Sequence, residues 1–371
     1  MVEKSGLSTV LAPAEGIGRH FSLVGGMPTL VASLIPITIV AAGAPRHRPH
    51  LAIAVTTLKE LQLTEVGFLA IVIVAVGLLL QPLQFAMTQL LEGYWGSSNL
   101  SLRAMERSAR RHLERFLVHE VQAEDAQRRA TEADKWLAKL DERRDELVKN
   151  DNYFEDDEEY FNDERRRVLH VSLPYRLRTQ EAQRLLDRYP SAATDLMPTR
   201  LGNVLRRYER LAGAGFGLDA VSVTGLLAQV GSETLRDYHD DARTDLDVAT
   251  RMVLVWTSST IMTFVLLWRF DVWLLLPTVT SLLAYLSYLG TVASAEAYGE
   301  ALIVVVALGR KPMYEALNLD FPETSDEERK RNELFLDLLA GEPVSLRYRP
   351  ASPCSPELLI VDRQRPRRSP S

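Results

Sequence analysis

The stretch MVLVWTSSTIMTFVLLW (252–268), the tripeptide RFD (269–271) and the stretch VWLLLPTVTSLLAYLSYLGTVASA (272–295) decide the fold of this 371-residue chain. Neither long stretch contains Asp, Glu, Lys, Arg or His. Each is close to the ~20 apolar residues that cross ~30 Å of hydrocarbon as a helix, which satisfies its own backbone polar groups where no water is present. Three intervening residues leave room only for a tight helical hairpin. Trp256, Trp268 and Trp273 stand near its ends, as interfacial aromatics do.

Toward the N-terminus lie two more apolar spans, 21–44 and 68–80. The first carries Pro28 and Pro36 and is the least regular. The second follows the Thr64-Glu65 cap pair. Glu3, Pro13 and Glu15 do not make a cleavable leader, so the first span is expected to be retained. The expected architecture is all-α: a four-helix transmembrane bundle with a helical, partly coiled-coil cytoplasmic domain. Its parts are an N-terminal tail (1–20), transmembrane helices 1 and 2 (21–90), a cytoplasmic insertion (91–250), the hairpin of helices 3 and 4 (251–295), C-terminal cytoplasmic helices (296–342) and a disordered tail (343–371).

Basic residues fix the expected orientation. Lys4, Arg19, Arg103, Arg107, Arg110, Arg111, Arg236, Arg243, Arg251, Arg310 and Lys311 flank the spans on one side, against Arg46, Arg48, Lys59 and Arg269 on the other. The richer side faces the cytoplasm, which puts both termini there and the protein in a bacterial plasma membrane as a multi-pass component. Spans free of ionisable groups argue against proton- or ion-coupled transport. A net charge of -6 argues against nucleic-acid binding, and the single cysteine, Cys354, excludes an intrachain disulfide framework.

The insertion begins with a stalk, 101–149. Steps of three and four from Leu102 reach Met105, Ala109, His112, Phe116, His119, Ala123, Ala126, Ala130, Ala133, Leu137, Leu140, Arg144 and Leu147, and eleven of these fourteen seam positions are apolar. That is a heptad pattern. It supports either self-association or an antiparallel intrachain pairing with a later helix such as 225–250. His112 and His119 lie ~10 Å apart along the axis, too far to share one zinc unaided, and read as polar interruptions of the seam. Residues 151–159 read as an acidic solvated turn, and 166–173, ended by Pro174, as the one short strand.

An Arg-rich helix at 199–212 puts Leu201, Val204, Leu205, Tyr208 and Leu211 on one face and leaves Arg200, Arg206, Arg207 and Arg210 on the remaining surface. Four guanidiniums beside a membrane suit a phosphate ligand or a lipid phosphate. The alternative is pairing with the acidic run and with Asp237, Asp240 and Asp241. Asp237, Asp241 and Asp245 share a helical stripe that is a weak candidate for a metal or cation, since hard-cation sites draw ligands from more than one element. No phosphate-binding loop, nucleophile elbow or zinc-protease pattern is present, so no catalytic residue and no cofactor are assigned.

The segments Leu80-Gln81-Pro82-Leu83-Gln84, Leu90-Leu91-Glu92-Gly93-Tyr94-Trp95, Pro198-Thr199-Arg200-Leu201-Gly202-Asn203-Val204-Leu205-Arg206 and Gly217-Leu218-Asp219-Ala220 resemble an uncharacterised family of actinobacterial multi-pass membrane proteins. The resemblance covers roughly 66–339 and implies a membrane location without implying an activity.

Three functions follow from these readings. The first is a non-enzymatic membrane-anchored scaffold or sensor, partnered by the bilayer, by further copies through the stalk, or by a cytoplasmic protein. The others are an oligomeric passive pore and a metal-dependent enzyme acting on phosphate-containing ligands at the membrane surface.

Overall fold

The structure is a computed structural model that describes residues 26–60, 62, 64, 67–68, 71, 75, 85–150 and 153–349. Among the described residues every regular element is a helix: α1 (Gly26–Ala41), α2 (Leu51–Glu60), α3 (Asn99–Lys149), α4 (Glu155–Leu186), α5 (Arg200–Ala214), α6 (Ala220–Val230), α7 (Glu233–Leu267), α8 (Leu275–Ala316) and α9 (Ser325–Leu339). Residues 85–92 are also helical. Five starts are written in the sequence. Ser98, Thr199, Asp219, Ser232 and Thr324 each accept a hydrogen bond from a first-turn backbone N–H of α3, α5, α6, α7 and α9, groups that otherwise lack a partner.

Two of these helices are long and apolar enough to cross a membrane, α7 and the run Asp271–Ala316 that contains α8. They are joined by the short 3₁₀ turn Asp271–Leu274, as the three-residue spacer requires. Their facing surfaces carry hydroxyls. Thr250, Ser259, Thr263, Thr280 and Thr291 are buried, and Thr260 Oγ1 donates to Thr280 Oγ1 across the hairpin at 3.0 Å. Small and hydroxyl side chains let helices approach closely where no hydrophobic force separates lipid from leucine. On α8 the small residues Ser281, Ala284, Ser287, Thr291 and Ser294 recur every three or four positions and are mostly used in this way: Thr291 is buried, Ala284, Ser287 and Ser294 are half-buried and Ser281 is exposed. The outer surfaces are apolar and bare, with Ile261, Phe264, Val265, Val272, Leu275 and Leu282 all exposed.

The expectation of a four-helix transmembrane bundle is therefore corrected, among the described residues, to two candidate spans. Within 21–44 the described helix α1 has 16 residues with Pro36 inside it, short of a span. The chain then turns through 42–50 into the short α2. The end of α1 packs against the hairpin tip, where Ile39 and Ala44 meet Leu267. The second expected span, 68–80, falls largely outside the described residues.

The stalk pairs within the chain, and its partner is α4 rather than 225–250. Arg176 pairs with Asp134, and along the stalk His112 meets Tyr189, Arg129 reaches Tyr175 and Asp141 pairs with Arg165, so the number on the α4 side falls as the α3 number rises. The helices are antiparallel. Ala123, Ala126, Ala130 and Leu140 are buried along the seam, with Phe161, Ser172 and Ala182 from α4. The expected strand at 166–173 lies inside α4 and continues through Pro174, which forgoes one backbone hydrogen bond without ending the helix. Glu155, Asp156, Asp157 and Glu158 form the first turn of α4, where the helix dipole favours acids, instead of a free turn.

Away from the stalk, α8 is the central element. Its second half packs with α6 and α9 in a core built from Val223, Leu227, Leu302, Val305, Val306 and Phe335. A polar lock closes that core. Arg310 donates to both carboxylate oxygens of Glu328 at 2.6 and 2.7 Å and lies 3.5 Å from the Phe216 ring centroid, while Tyr314 donates to Asn332 Oδ1 at 2.6 Å. Of the expected disordered tail, 343–349 is tied to the body, where Arg349 pairs with Asp320 at 2.6 Å and its N–H donates to the Asn318 carbonyl at 2.8 Å; the rest lies outside the described residues.

Candidate functional site: a cationic cavity at the α3–α5–α8 junction

The N-terminus of α5 is wedged between the end of helix 85–92 and α8. Thr199 caps α5 through the Gly202 N–H at 3.0 Å and also donates to the Glu92 carbonyl at 2.8 Å. Gly202 allows the approach, because a Cβ there would lie 2.0 Å from that carbonyl oxygen. Asn203, fully buried, donates to the carbonyls of Met197 and Thr199 and accepts from the Met197 N–H, which fixes the loop before the helix. Leu201, Val204 and Leu205 then pack on Leu246, Val292 and Ala295. The segments around Glu92 and Thr199, more than a hundred residues apart, thus form one joint.

Beside this joint is a cavity of about 220 Å³. The stalk supplies Arg115 and His119, one turn apart. The end of α4 and the loop after it supply Leu185, Arg188 and Tyr189; α5 supplies Arg200, Asn203 and Val204; and α8 supplies Val292. Three guanidiniums and an imidazole converge on it. One carboxylate is engaged, Glu296, which holds Arg188 Nε at 2.9 Å. Among the described residues neither Arg115 nor Arg200 forms an ion pair, and the Nδ1 of His119 is buried without a hydrogen-bond partner. Behind the wall, His112 Nδ1 lies 3.3 Å from the Tyr189 hydroxyl. Burial, then the charges of Arg115 and Arg200, push His112 down to about 4, so it is neutral at physiological pH. Burial pushes the Tyr189 phenol up, and the same two arginines oppose that shift.

Of the four arginines singled out in the sequence, only Arg200 reaches this cavity. The other three are paired: Arg206 with Glu209 at 3.5 Å, Arg207 with Asp187 at 2.9 Å and Arg210 with Asp195 at 2.9 Å. Arg207 and Arg210 line a separate, larger cleft of about 870 Å³ among Glu120, Asp187, Asp195 and Asp219, where acids outnumber them. The partners come from the end of α4, the loop after it and α5 itself, not from 151–159 or from Asp237, Asp240 and Asp241.

Asp237, Asp241 and Asp245 lie exposed on α7, and among the described residues no three His, Cys, Asp or Glu side chains converge to hold a metal. Between them on the helix, His239 is buried against the Tyr298 ring at 5.5 Å.

Sequence reading missed Arg115, Arg188 and Tyr189. The available signal was Arg115 standing four residues before His119, a seam residue. No family model, curated protein or solved structure matches the chain, and the cavity is interpreted from its own chemistry.

Proposed function

We propose that the chain is a non-enzymatic, membrane-anchored sensor or scaffold, with α7 and α8 in a bacterial plasma membrane and the stalk, α5, α6 and α9 on the cytoplasmic side. The observation that carries this is the continuity of α8. It runs 42 residues without a break, about 60 Å at 1.5 Å per residue, from the bare apolar hairpin to the Arg310–Glu328 core. A rigid helix shared by both compartments makes any event at the body mechanically present in the membrane hairpin, and the reverse.

Both termini on the cytoplasmic side belong to the same proposal, as does membership of the actinobacterial multi-pass family. The basic flanks and the quoted motifs support these points. Assembly through the stalk would use its outer surface, since α4 occupies the seam; Val118 and Val121 are exposed there. A passive pore is the second reading, favoured by the hairpin surfaces left bare, with only 33% and 11% of the two apolar stretches buried by protein. Among the described residues no group of ligands supports the metal-dependent enzyme reading.

Cys354, the single cysteine, tests the orientation in the native sequence. In intact cells it should resist a membrane-impermeant maleimide and should react after permeabilisation, while the chain stays with the membranes through alkaline carbonate. Labelling in intact cells overturns the orientation, and release by carbonate overturns the anchor. Ion flux from reconstituted liposomes would favour the pore.

A further inference from the structure

We propose that the cavity bounded by Arg115, His119, Arg188 and Arg200 is a binding site for a phosphate-class oxyanion; as the input to a sensor it rests on the function proposed above, whereas binding itself does not.

Convergence is the first ground. Like charges from α3, the α4 end and α5 repel one another unless an anion joins them; among the described residues the lining holds no carboxylate, and of its three arginines Arg188 alone has an acidic partner, Glu296. The same helix shows the contrast: Arg206, Arg207 and Arg210 all have acidic partners, so acids were within reach of α5 and are absent only at its N-terminal end. That end also carries the positive pole of a 15-residue helix.

Donor chemistry is the second ground. Guanidiniums present planar pairs of N–H donors that match the oxygens of phosphate. Arg188 keeps its terminal nitrogens free, because Glu296 takes Nε. His119 lines the same cavity, and its buried Nδ1 has no hydrogen-bond partner among the described residues. Glu120, the next acid along the stalk, lines the other cleft and does not compete.

Size is the third. At ~30 Å³ per water the cavity holds the equivalent of about seven waters, below the ~300 Å³ at which pockets for drug-sized ligands begin. It suits a free phosphate or the phosphate end of a larger molecule, including a lipid head group. Val292 of α8 forms part of the wall, so an occupant touches the helix that continues into the membrane.

The test uses the full chain in phosphatidylcholine nanodiscs, titrated calorimetrically with inorganic phosphate up to about 10 mM, a range that reaches weak sites. Saturable binding is expected. Arg115→Gln and Arg200→Gln should each weaken it about tenfold, as loss of a charge-assisted contact does. Arg210→Gln, altered in the neighbouring cleft, should leave it within about twofold.

Because Arg115 and Arg200 are exposed and neither forms an ion pair among the described residues, both variants should melt no lower than wild type, which separates lost binding from lost folding. Absence of saturable binding in wild type overturns the site, and so does equal weakening by Arg210→Gln. Nanodiscs containing phosphatidic acid identify the source: unchanged phosphate binding supports a soluble ligand, and competitive loss supports a head group in the same site. Failure of the membrane orientation with phosphate binding intact would overturn the sensor and leave the site.

Discussion

The two ends of α5 carry the same side chain and opposite surroundings. Arg200 opens the helix in a cavity shared with Arg115 and Arg188, and Arg210 lies near its far end, about 15 Å away, paired with Asp195 in a cleft dominated by acids. The helix dipole distinguishes them only in favouring an anion at the Arg200 end. The difference comes from which side chains reach each end: Arg115, Arg188 and Val292 at one, and Asp187, Asp195 and Asp219 at the other. A run of arginines is therefore not a site until its neighbours are known.

The largest effects should come from breaking the seat of either end. Gly202→Ala would put a Cβ 2.0 Å from the Glu92 carbonyl oxygen, and Gly213→Ala would put one 1.9 Å from the Leu218 carbonyl oxygen. Backbone cannot step aside as a flexible side chain does. Each variant should lose about 3 kcal/mol in denaturant unfolding followed by circular dichroism, and Gly202→Ala should also weaken phosphate binding.

Acidity should separate the two ends next. Near Glu209, burial first and that neighbouring carboxylate second raise Glu92 from 4.5 to about 7. A carboxyl held protonated in the folded state favours folding below its unfolded value, so this contribution falls as pH rises from 4.5 through 7. Glu92→Gln should flatten that fall and raise stability at pH 8 by about 1 kcal/mol, allowing for solvent screening of a part-exposed group. His112 acts in the opposite sense. Its folded value of about 4 lies below the ordinary 6.5, so stability is lost as pH drops through that interval, and His112→Gln should flatten the acidic limb. Melting curves of both variants across this range check the two signs separately.

The smallest effect belongs to the paired end. Arg210 and Asp195 form an ion pair in which the arginine is more than half exposed, and Arg210→Gln should cost about 0.5 kcal/mol or less, shrinking further in high salt. A larger loss would mean that the cleft is not simply solvated.

Much of the helical architecture was legible because its signals are local. The hairpin turn follows from three residues between two apolar runs, and Ser98, Thr199, Asp219, Ser232 and Thr324 announce helix starts through their own hydroxyls and carboxylates. Residues 166–173 misled because Val168, Val171 and Leu173 beside Pro174 suit a strand, whereas the Arg- and Glu-rich flanks and the α3 seam make the segment helical. The stalk pattern specified a partner without specifying which one; α4 wins because a short connection brings it back along α3. The cavity was legible only through Arg200. Arg115, Arg188 and Val292 meet there by long-range packing, which no spacing in the chain records.

The way α8 completes the cores of α5 and α6 has a consequence for how the chain is made. Leu201, Val204, Val223 and Leu227 leave the ribosome before their partners Val292, Leu302 and Val306 exist. The stalk can zip early, but α5 and α6 must wait, oily faces uncovered, until the hairpin and the rest of α8 have been made. Translation stopped at residue 250 would yield an adhesive fragment rather than a folded domain, and completion of α8 becomes the step that licenses the body to close.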